Sequence, residues 1–375
     1  MTEQPDPAQG PTPQPPAHVQ VAIVGGGQAG LATGFYLRRA GLTPGEDFVI
    51  IDAADRPGGA WPRMWDGLRI FSPSSSSSLP GWMMPTWDES AHGYPPRSHV
   101  VDYLTRYEQR YELNVCRPHR VTAVKTEDQD PQGRMLLTGD DLSLSAQTVI
   151  STTGTWERPF WPVYPGMRDF SGKQLHAADY KNPEEFEGRR VIIVGGGNSA
   201  AQILAEVSTV AETTWASSRP PRFLPDDVDG RALFAAATAR IRALEEGREH
   251  AGVAGLGDIV MIPSVREARD RGALTARPMF TRLTSTGVAW ENDDTQDADV
   301  IIWCTGFRPA LHHLQPLGLR DAHGHIRVGG PSKTQVLADP RLYLLGYGDW
   351  TGTASATLVG VGPFAKATAM AVADA

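Results

Sequence analysis

Two glycine clusters carry most of the chemistry that this sequence can do. Gly25-Gly26-Gly27-Gln28-Ala29-Gly30 completes a G-x-G-x-x-G pattern between the strand-like "QVAIV" and a helix-like run. Gly195-Gly196-Gly197-Asn198-Ser199-Ala200 repeats it after "VIIV", with alanine in the third place. In such a turn the first glycine permits the tight bend and the second lets backbone approach a pyrophosphate. The third lets the helix pack closely on the strand, and the helix N-terminus then faces the phosphate charge. After the first turn, "DFVIID" ends on Asp52, about 20 residues on, where an acid accepts the ribose hydroxyls. After the second, "ETTWASS" leads to Ser217, Ser218 and Arg219 with no carboxylate, and an arginine there suits a 2'-phosphate. The pair predicts two bound dinucleotides, the first with a free adenosine ribose and the second NADPH in preference to NADH.

Other chemistries find little support. The sequence shows no Ser-His-Asp set, no Cys-His pair and no metal-ligand spacing, so no metal is expected. Asp226, Asp227 and Asp229 in "PDDVDG" read as a turn. Cys116 and Cys304 are far apart and neither belongs to a CxxC, which argues against a dithiol redox pair. A net charge of -8 with no dense basic block argues against nucleic acid and anionic membranes as partners. No apolar run reaches the roughly 18 residues that span a bilayer. Residues 1–19, rich in Pro and Gln, read as a disordered tail rather than a secretion signal. A cytoplasmic location is expected, and the oligomeric state is left open, a homodimer included.

A chain of 375 residues accommodates two domains. "TVISTTGTWERP" (Thr148–Pro159) and "DVIIWCTGFRP" (Asp299–Pro309) are both an apolar strand followed by Thr-Gly, a basic residue and proline. The second glycine turn lies between them, which predicts one α/β dinucleotide domain inserted into another. The expected boundaries are 20–155 plus 300–375 for a first, FAD-binding domain and 156–299 for a second, NAD(P)H-binding domain. Gly59 and Trp61 in "RPGGAW" would let backbone and indole border the isoalloxazine. Asp349, after the strand-like "LYLLGYG", would accept from the ribitol hydroxyls. "TASATLVGVG" is expected to open a helix whose N-terminus, around Thr357 and Leu358, faces the flavin N1–C2=O edge.

The stretch Phe170-Ser171-Gly172-Lys173-Gln174-Leu175-His176-Ala177-Ala178-Asp179-Tyr180 matches F-x-G-x-x-x-H-x-x-x-Y and resembles the fingerprint of class B flavin-dependent monooxygenases. With the glycine turns and Thr-Gly crossings, the resemblance covers residues 20–370. "RPGGAWPRMWDGLRIFSP", "FLPDDVDGR" and "GYGDWTGTASATLVGVG" resemble more closely the ArsO-type, CzcO-like members associated with arsenic resistance. The resemblance implies an NADPH- and O2-dependent enzyme that reduces FAD by hydride transfer, forms a C4a-peroxyflavin and oxygenates sulfur, nitrogen or trivalent arsenic in a small molecule. It adds Val121, Thr153 and Gly154 to the FAD site beside Gly25, Gly27, Gln28, Ala29, Gly30 and Asp52. It makes His176 a linker or NADPH contact rather than a general base, with a structural histidine as the plain alternative. Tyr180 stands where a Baeyer–Villiger enzyme usually has tryptophan, which favours heteroatom oxygenation. No acid–base residue is implied, since the cofactor carries the chemistry, and Trp61 and Thr357 are the pocket candidates.

The same cofactor sites would also serve an NAD(P)H-dependent reductase or oxidase that inserts no oxygen. "SPSSSSSLPGWMMPTWDESAHGYPPR" reads equally as pocket wall or surface loop, and Arg231–His250 as a helix followed by a glycine-rich lid or partner surface.

Overall fold

The computed structural model describes residues 13–127, 133–228, 259–291, 294–352 and 354–374, and its architecture is α/β with one mixed and one parallel main sheet. In the first sheet β1 (His18–Val24) lies between parallel β2 (Phe48–Ile51) and β5 (Leu142–Ser151). β16 (Leu342–Leu344) adds to the far side of β5 in parallel. β3 (Ala123–Thr126) and β4 (Met135–Gly139) form an antiparallel meander with the early part of β5. The two-residue strands β14 (Val328–Gly329) and β15 (Gln335–Val336) finish the other edge.

The second sheet is wholly parallel. Its order is β6 (Lys173–His176), β13 (Val300–Trp303), β7 (Arg190–Val194), β8 (Glu212–Ser217), β9 (Ala276–Pro278). Residues Val191–Val194 and Val300–Trp303 are all buried, as continuous β-branched runs must be when helices or other layers cover both faces. A small antiparallel sheet of β10 (Arg282–Leu283), β11 (Gly287–Ala289) and β12 (Thr295–Asp297) packs beside it.

Each glycine turn runs into a helix. Gly27 caps α1 (Gln28–Arg39), and Gly197 caps α4 (Asn198–Val207). A one-turn helix, α2 (Glu89–His92), and α3 (Arg97–Arg110) come between them in sequence. α5 (Pro263–Asp270) packs on α4, and α6 (Val361–Ala373) packs on α1. Tyr103 and Tyr107 of α3 bind the backbone of residues 79–82, which ties half of the serine- and methionine-rich segment to the core.

The two crossings between sheets run side by side. Phe160 N donates to Gly306 O at 2.9 Å, Arg308 N to Arg158 O at 2.8 Å and Ala310 N to Gly154 O at 2.9 Å. β13 pairs with β6 and β7, so the second crossing starts after Trp303 and not at residue 300. An apolar strand can serve either sheet, and sequence alone does not say on which side of the crossing it pairs.

Beneath the first turn lies a buried ion pair. The Arg117 guanidinium meets the Glu108 carboxylate through two bonds of 2.7 and 2.8 Å, with the side chains only 7% and 14% exposed. A Cβ on Gly26 would lie 3.0 Å from the same guanidinium. Arg117→Met would strand the Glu108 charge, so urea unfolding should show a loss of about 3–5 kcal/mol, against about 0–1 for breaking the exposed Arg106–Asp102 pair.

Candidate active site

The first turn leaves no room for side chains. Gly25 has φ +113°, and a Cβ there would stand 2.6 Å from the Thr152 carbonyl oxygen. A Cβ on Gly30 would stand 1.9 Å from the Gly25 carbonyl oxygen. Thr152 locks this arrangement by donating its N–H to Val24 O and its hydroxyl to Gly25 O. Asp52 accepts from Gly26 N at 2.6 Å and from Ala54 N at 2.7 Å. A carboxylate has about four acceptor positions, so capacity remains for hydroxyl donors.

The second turn is built alike. Gly195 has φ +136°, and a Cβ there would stand 2.3 Å from the Cys304 carbonyl oxygen. Cys304 N donates to Val194 O at 2.7 Å, the counterpart of Thr152 N on Val24 O. The third place, Ala200, is buried and accommodates its methyl group.

A cavity of about 1040 Å³ begins at the first turn. Gly25, Gly27, Gln28, Ala29 and Asp52 line one end, and Gly59 and Trp61 face them. A Cβ on Gly59 would come within 2.8 Å of the Gly27 Cα, so the two backbones approach as closely as they do only because residue 59 is glycine. Val121, Thr153 and Gly154 form another wall, and Thr357 and Leu358 a third. Gly30 lies behind the turn and does not line the cavity. Gln28 ties three walls together: its carbonyl oxygen accepts from Trp61 Nε1 at 3.2 Å, and its amide nitrogen donates to Ala356 O at 2.6 Å.

The expected helix start needs a correction. α6 opens at Val361, capped by Gly360, so Thr357 and Leu358 belong to the turn that precedes it. The Thr357 hydroxyl accepts from Gly360 N at 3.0 Å and donates to Ala354 O, which closes a separate turn before the helix. The backbone of Asp349 opens a 3-10 turn, Asp349–Thr351, while its side chain lies outside the described residues. The expected helix at Arg231–His250 and its glycine-rich sequel also lie outside them.

Asn198 and Ser199 at the start of α4 line the far side of the same cavity. Gly195, Gly197, Ala200, Ser218 and Arg219 do not. The Asn198 side-chain oxygen accepts from Val260 N at 2.9 Å. Ser217 and not Ser218 is the buried serine after β8, its hydroxyl donating to Arg219 O at 2.7 Å, while Ser218 and Arg219 are exposed. His176 is buried with both ring nitrogens engaged: Ala178 N donates to Nδ1, and Nε2 donates to Gly306 O at 3.1 Å. It stacks edge-on against Phe307, and burial lowers its pKa, which keeps it neutral. It therefore pins the second crossing strand to β6 and is not placed to act as a base.

Several site residues carried no sequence signal. Residues 61–68 form a strap from the first sheet onto the second. Trp65 Nε1 donates to the Glu206 carboxylate at 3.2 Å, and Tyr180 OH donates to its other oxygen at 2.8 Å. Asp66 N donates to Lys181 O, and Lys181 Nζ to Arg63 O. The last residue of the fingerprint thus joins a dock between the two halves, and Asn198, Gln202 and Glu206, spaced by four, share that face of α4. Among the described residues no cluster could hold a metal, and Asp226 instead pairs with Arg269. Cys116 and Cys304 are separate free thiols, pushed up by burial to about 11 and about 12.

Comparison with known proteins agrees with this layout. The profile of the pyridine nucleotide-disulphide oxidoreductase family matches residues 22–234. A flavin-containing monooxygenase from Stenotrophomonas maltophilia has the same structure with a TM-score of 0.84 and 46% identity, over 95% of this chain and 98% of that one. The chain belongs to the flavin monooxygenases. An uncharacterized CzcO-like oxidoreductase of Geobacillus kaustophilus is 26% identical over 93% of this chain and 96% of its own length. A Baeyer–Villiger monooxygenase of Streptomyces coelicolor is 32% identical over 60% of this chain and 43% of its length. As a flavin monooxygenase, the protein is an oxidoreductase that uses FAD and NADPH. No helix among the described residues is long and apolar enough to cross a membrane.

The dock gives a prediction with a defined sign. Burial raises the Glu206 pKa above its ordinary value, so the folded state holds a proton there that the unfolded chain has already lost. Stability should therefore rise as pH falls through the raised pKa and level off below the ordinary carboxylate range. Glu206→Gln should lack this contribution when urea unfolding is followed across pH. Glu206→Leu should cost about 1–3 kcal/mol for each of the two donors left without an acceptor.

Proposed function

We propose that this flavin monooxygenase uses FAD and NADPH to insert one atom of dioxygen into a soft nucleophilic centre of a small molecule. The balance is substrate, NADPH, O2 and H+ giving oxygenated substrate, NADP+ and water. One observation carries the reading: a single cavity runs from the first glycine turn, past Trp61 and Thr357, to the start of the helix that follows the second turn. A flavin held at the first turn would thus share a chamber with the head of the second dinucleotide site. The family adds sulfur, nitrogen and, from its arsenic-associated members, trivalent arsenic as candidate centres. A cytoplasmic location, where NADPH is supplied, goes with this reading.

The residues fit the cofactors. Gly25 and Gly59 exclude a Cβ, and with Gly27 they leave bare backbone for a pyrophosphate. Asp52 retains acceptor capacity for a ribose, and Val121, Thr153 and Gly154 wall the same end. Asp349 is proposed for the ribitol chain. In the second half, Gly195, Gly197, Asn198, Ser199 and Ala200 would seat the NADPH pyrophosphate, with Ser218 and exposed Arg219 at the 2'-phosphate. Residues 20–155 with 304–375 would make up the FAD domain, and the intervening segment the NADPH domain.

The bound flavin supplies the redox chemistry: it takes the hydride, activates O2 and gives up one oxygen atom. The chain supplies position and exclusion of water. Gln28 fixes the Trp61 indole, and Thr357 and Leu358 present the turn just ahead of α6, whose N-terminal dipole favours negative charge. The Trp65–Glu206–Tyr180 dock holds the two halves in register, and His176 holds the crossing. Apolar walls from Met64, Leu68 and Phe71 keep the chamber dry.

Stopped-flow absorbance tests the reading. The yellow protein should bleach with NADPH under anaerobic conditions. Mixing with O2 should then give a transient near-ultraviolet species that decays faster with thioanisole and yields its sulfoxide. Direct return of the oxidised spectrum without sulfoxide would favour a reductase or oxidase. Arg219→Ala should weaken NADPH binding by about tenfold and leave NADH binding unchanged, as read by titration of the holoenzyme.

A further inference from the structure

Within the shared cavity, Gln202 has no hydrogen-bond partner among the described residues, and Arg69 has one. Gln202 on α4 is only 5% exposed, lines the cavity, and its amide makes no hydrogen bond among the described residues. Its amide opens into the cavity, where a ligand can complete it. Arg69 lines the same cavity and is half-buried. One of its nitrogens donates to Tyr94 O at 2.6 Å, and no carboxylate pairs with it among the described residues. Of the other cavity arginines, Arg63 and Arg120 are neutralised by Glu157, and Arg158 donates to Pro309 O at 3.4 Å.

The surroundings of these two donors are apolar. Trp65 and Leu68 pack in the same cluster as Ala201 and Ile203 of α4, with Met64 and Phe71 against them. The segment that carries Arg69 is therefore laid along the helix that carries Gln202. The polar neighbours are Ser72 and Ser77, whose hydroxyls satisfy each other at 2.8 Å, and Asn198 and Ser199 at the start of α4. An apolar wall that carries a guanidinium and an amide suits an anion with an apolar body. A carboxylate can take the planar fork of the arginine and the amide donor together.

We propose that Arg69 and Gln202 form a carboxylate-binding subsite, so that the enzyme's substrates are apolar or aromatic molecules that carry the soft heteroatom and a carboxylate. The inference rests on the monooxygenase reading for the reaction at the heteroatom, but not for the binding step. Specificity for an acid would come from the donors that a neutral analogue leaves unpaired in a dry wall.

Equilibrium binding to the oxidised FAD holoenzyme, without NADPH, tests it. The probes are (phenylthio)acetate and its methyl ester, followed by flavin difference absorbance and calorimetry. The acid should bind at least about tenfold tighter than the ester, and Arg69→Met and Gln202→Leu should each abolish most of that preference. Arg69→Lys should restore part of it, which loss of a merely structural contact to Tyr94 would not do. Equal binding of acid and ester by the wild type would overturn the proposal, as would an intact preference in both variants. Slower flavin reduction by NADPH in Gln202→Leu, with the acid preference retained, would assign the amide to the nicotinamide instead and also overturn it. If the acid preference holds but no sulfoxide forms on turnover, the subsite stands and the oxygenation reading fails.

Discussion

The carbonyl oxygens of Thr152 and Cys304 occupy the places where Gly25 and Gly195 would carry side chains. In each half, the residue after the strand that leads into a crossing donates its N–H to the last residue of the central strand and presses its carbonyl on the first glycine. That contact ties the nucleotide turn to the segment by which the chain passes between halves. It explains why the glycine motif and the Thr-Gly motif occur twice together, since neither geometry is possible without the other. The cavity then follows: the turn fixes one end, the crossing a wall, and the strap at residues 61–68 closes the remaining side against α4.

Much of this was legible because backbone sterics write directly into sequence. The strands "QVAIV" and "VIIV", both glycine turns, Asp52 and the paired crossings stand where periodicity and spacing put them. These features depend on residues near one another in the chain, or on glycine, which has no substitute at positive φ. The start of α6 was misjudged by a few residues because Thr357 and Gly360 close a turn of their own, and a turn and a first helical turn share the same local preferences.

The parts not legible depend on partners distant in sequence. Nothing near Glu206 announces that its carboxylate will receive Trp65 from 141 residues away and Tyr180 from 26. Gln202 looks like any polar residue of an amphipathic helix, and its meaning comes from the amide's having no partner in a nearly dry place. The Arg117–Glu108 pair, which props the first turn from below, also joins residues with no shared motif. The fingerprint histidine reads from sequence as a linker, an NADPH contact or a structural residue, and its bonds on both ring nitrogens need the folded crossing strand.

The paired crossings carry one more consequence. Phe160 and Gly306 are joined by a single backbone hydrogen bond, so the segment between them starts and finishes at nearly the same point. A stretch of chain with adjoining ends behaves as a cassette: it can be lifted out, or exchanged for another, with its frame closed across a short gap. Exchange of that cassette would replace the second glycine turn and leave the first turn and its sheet in place.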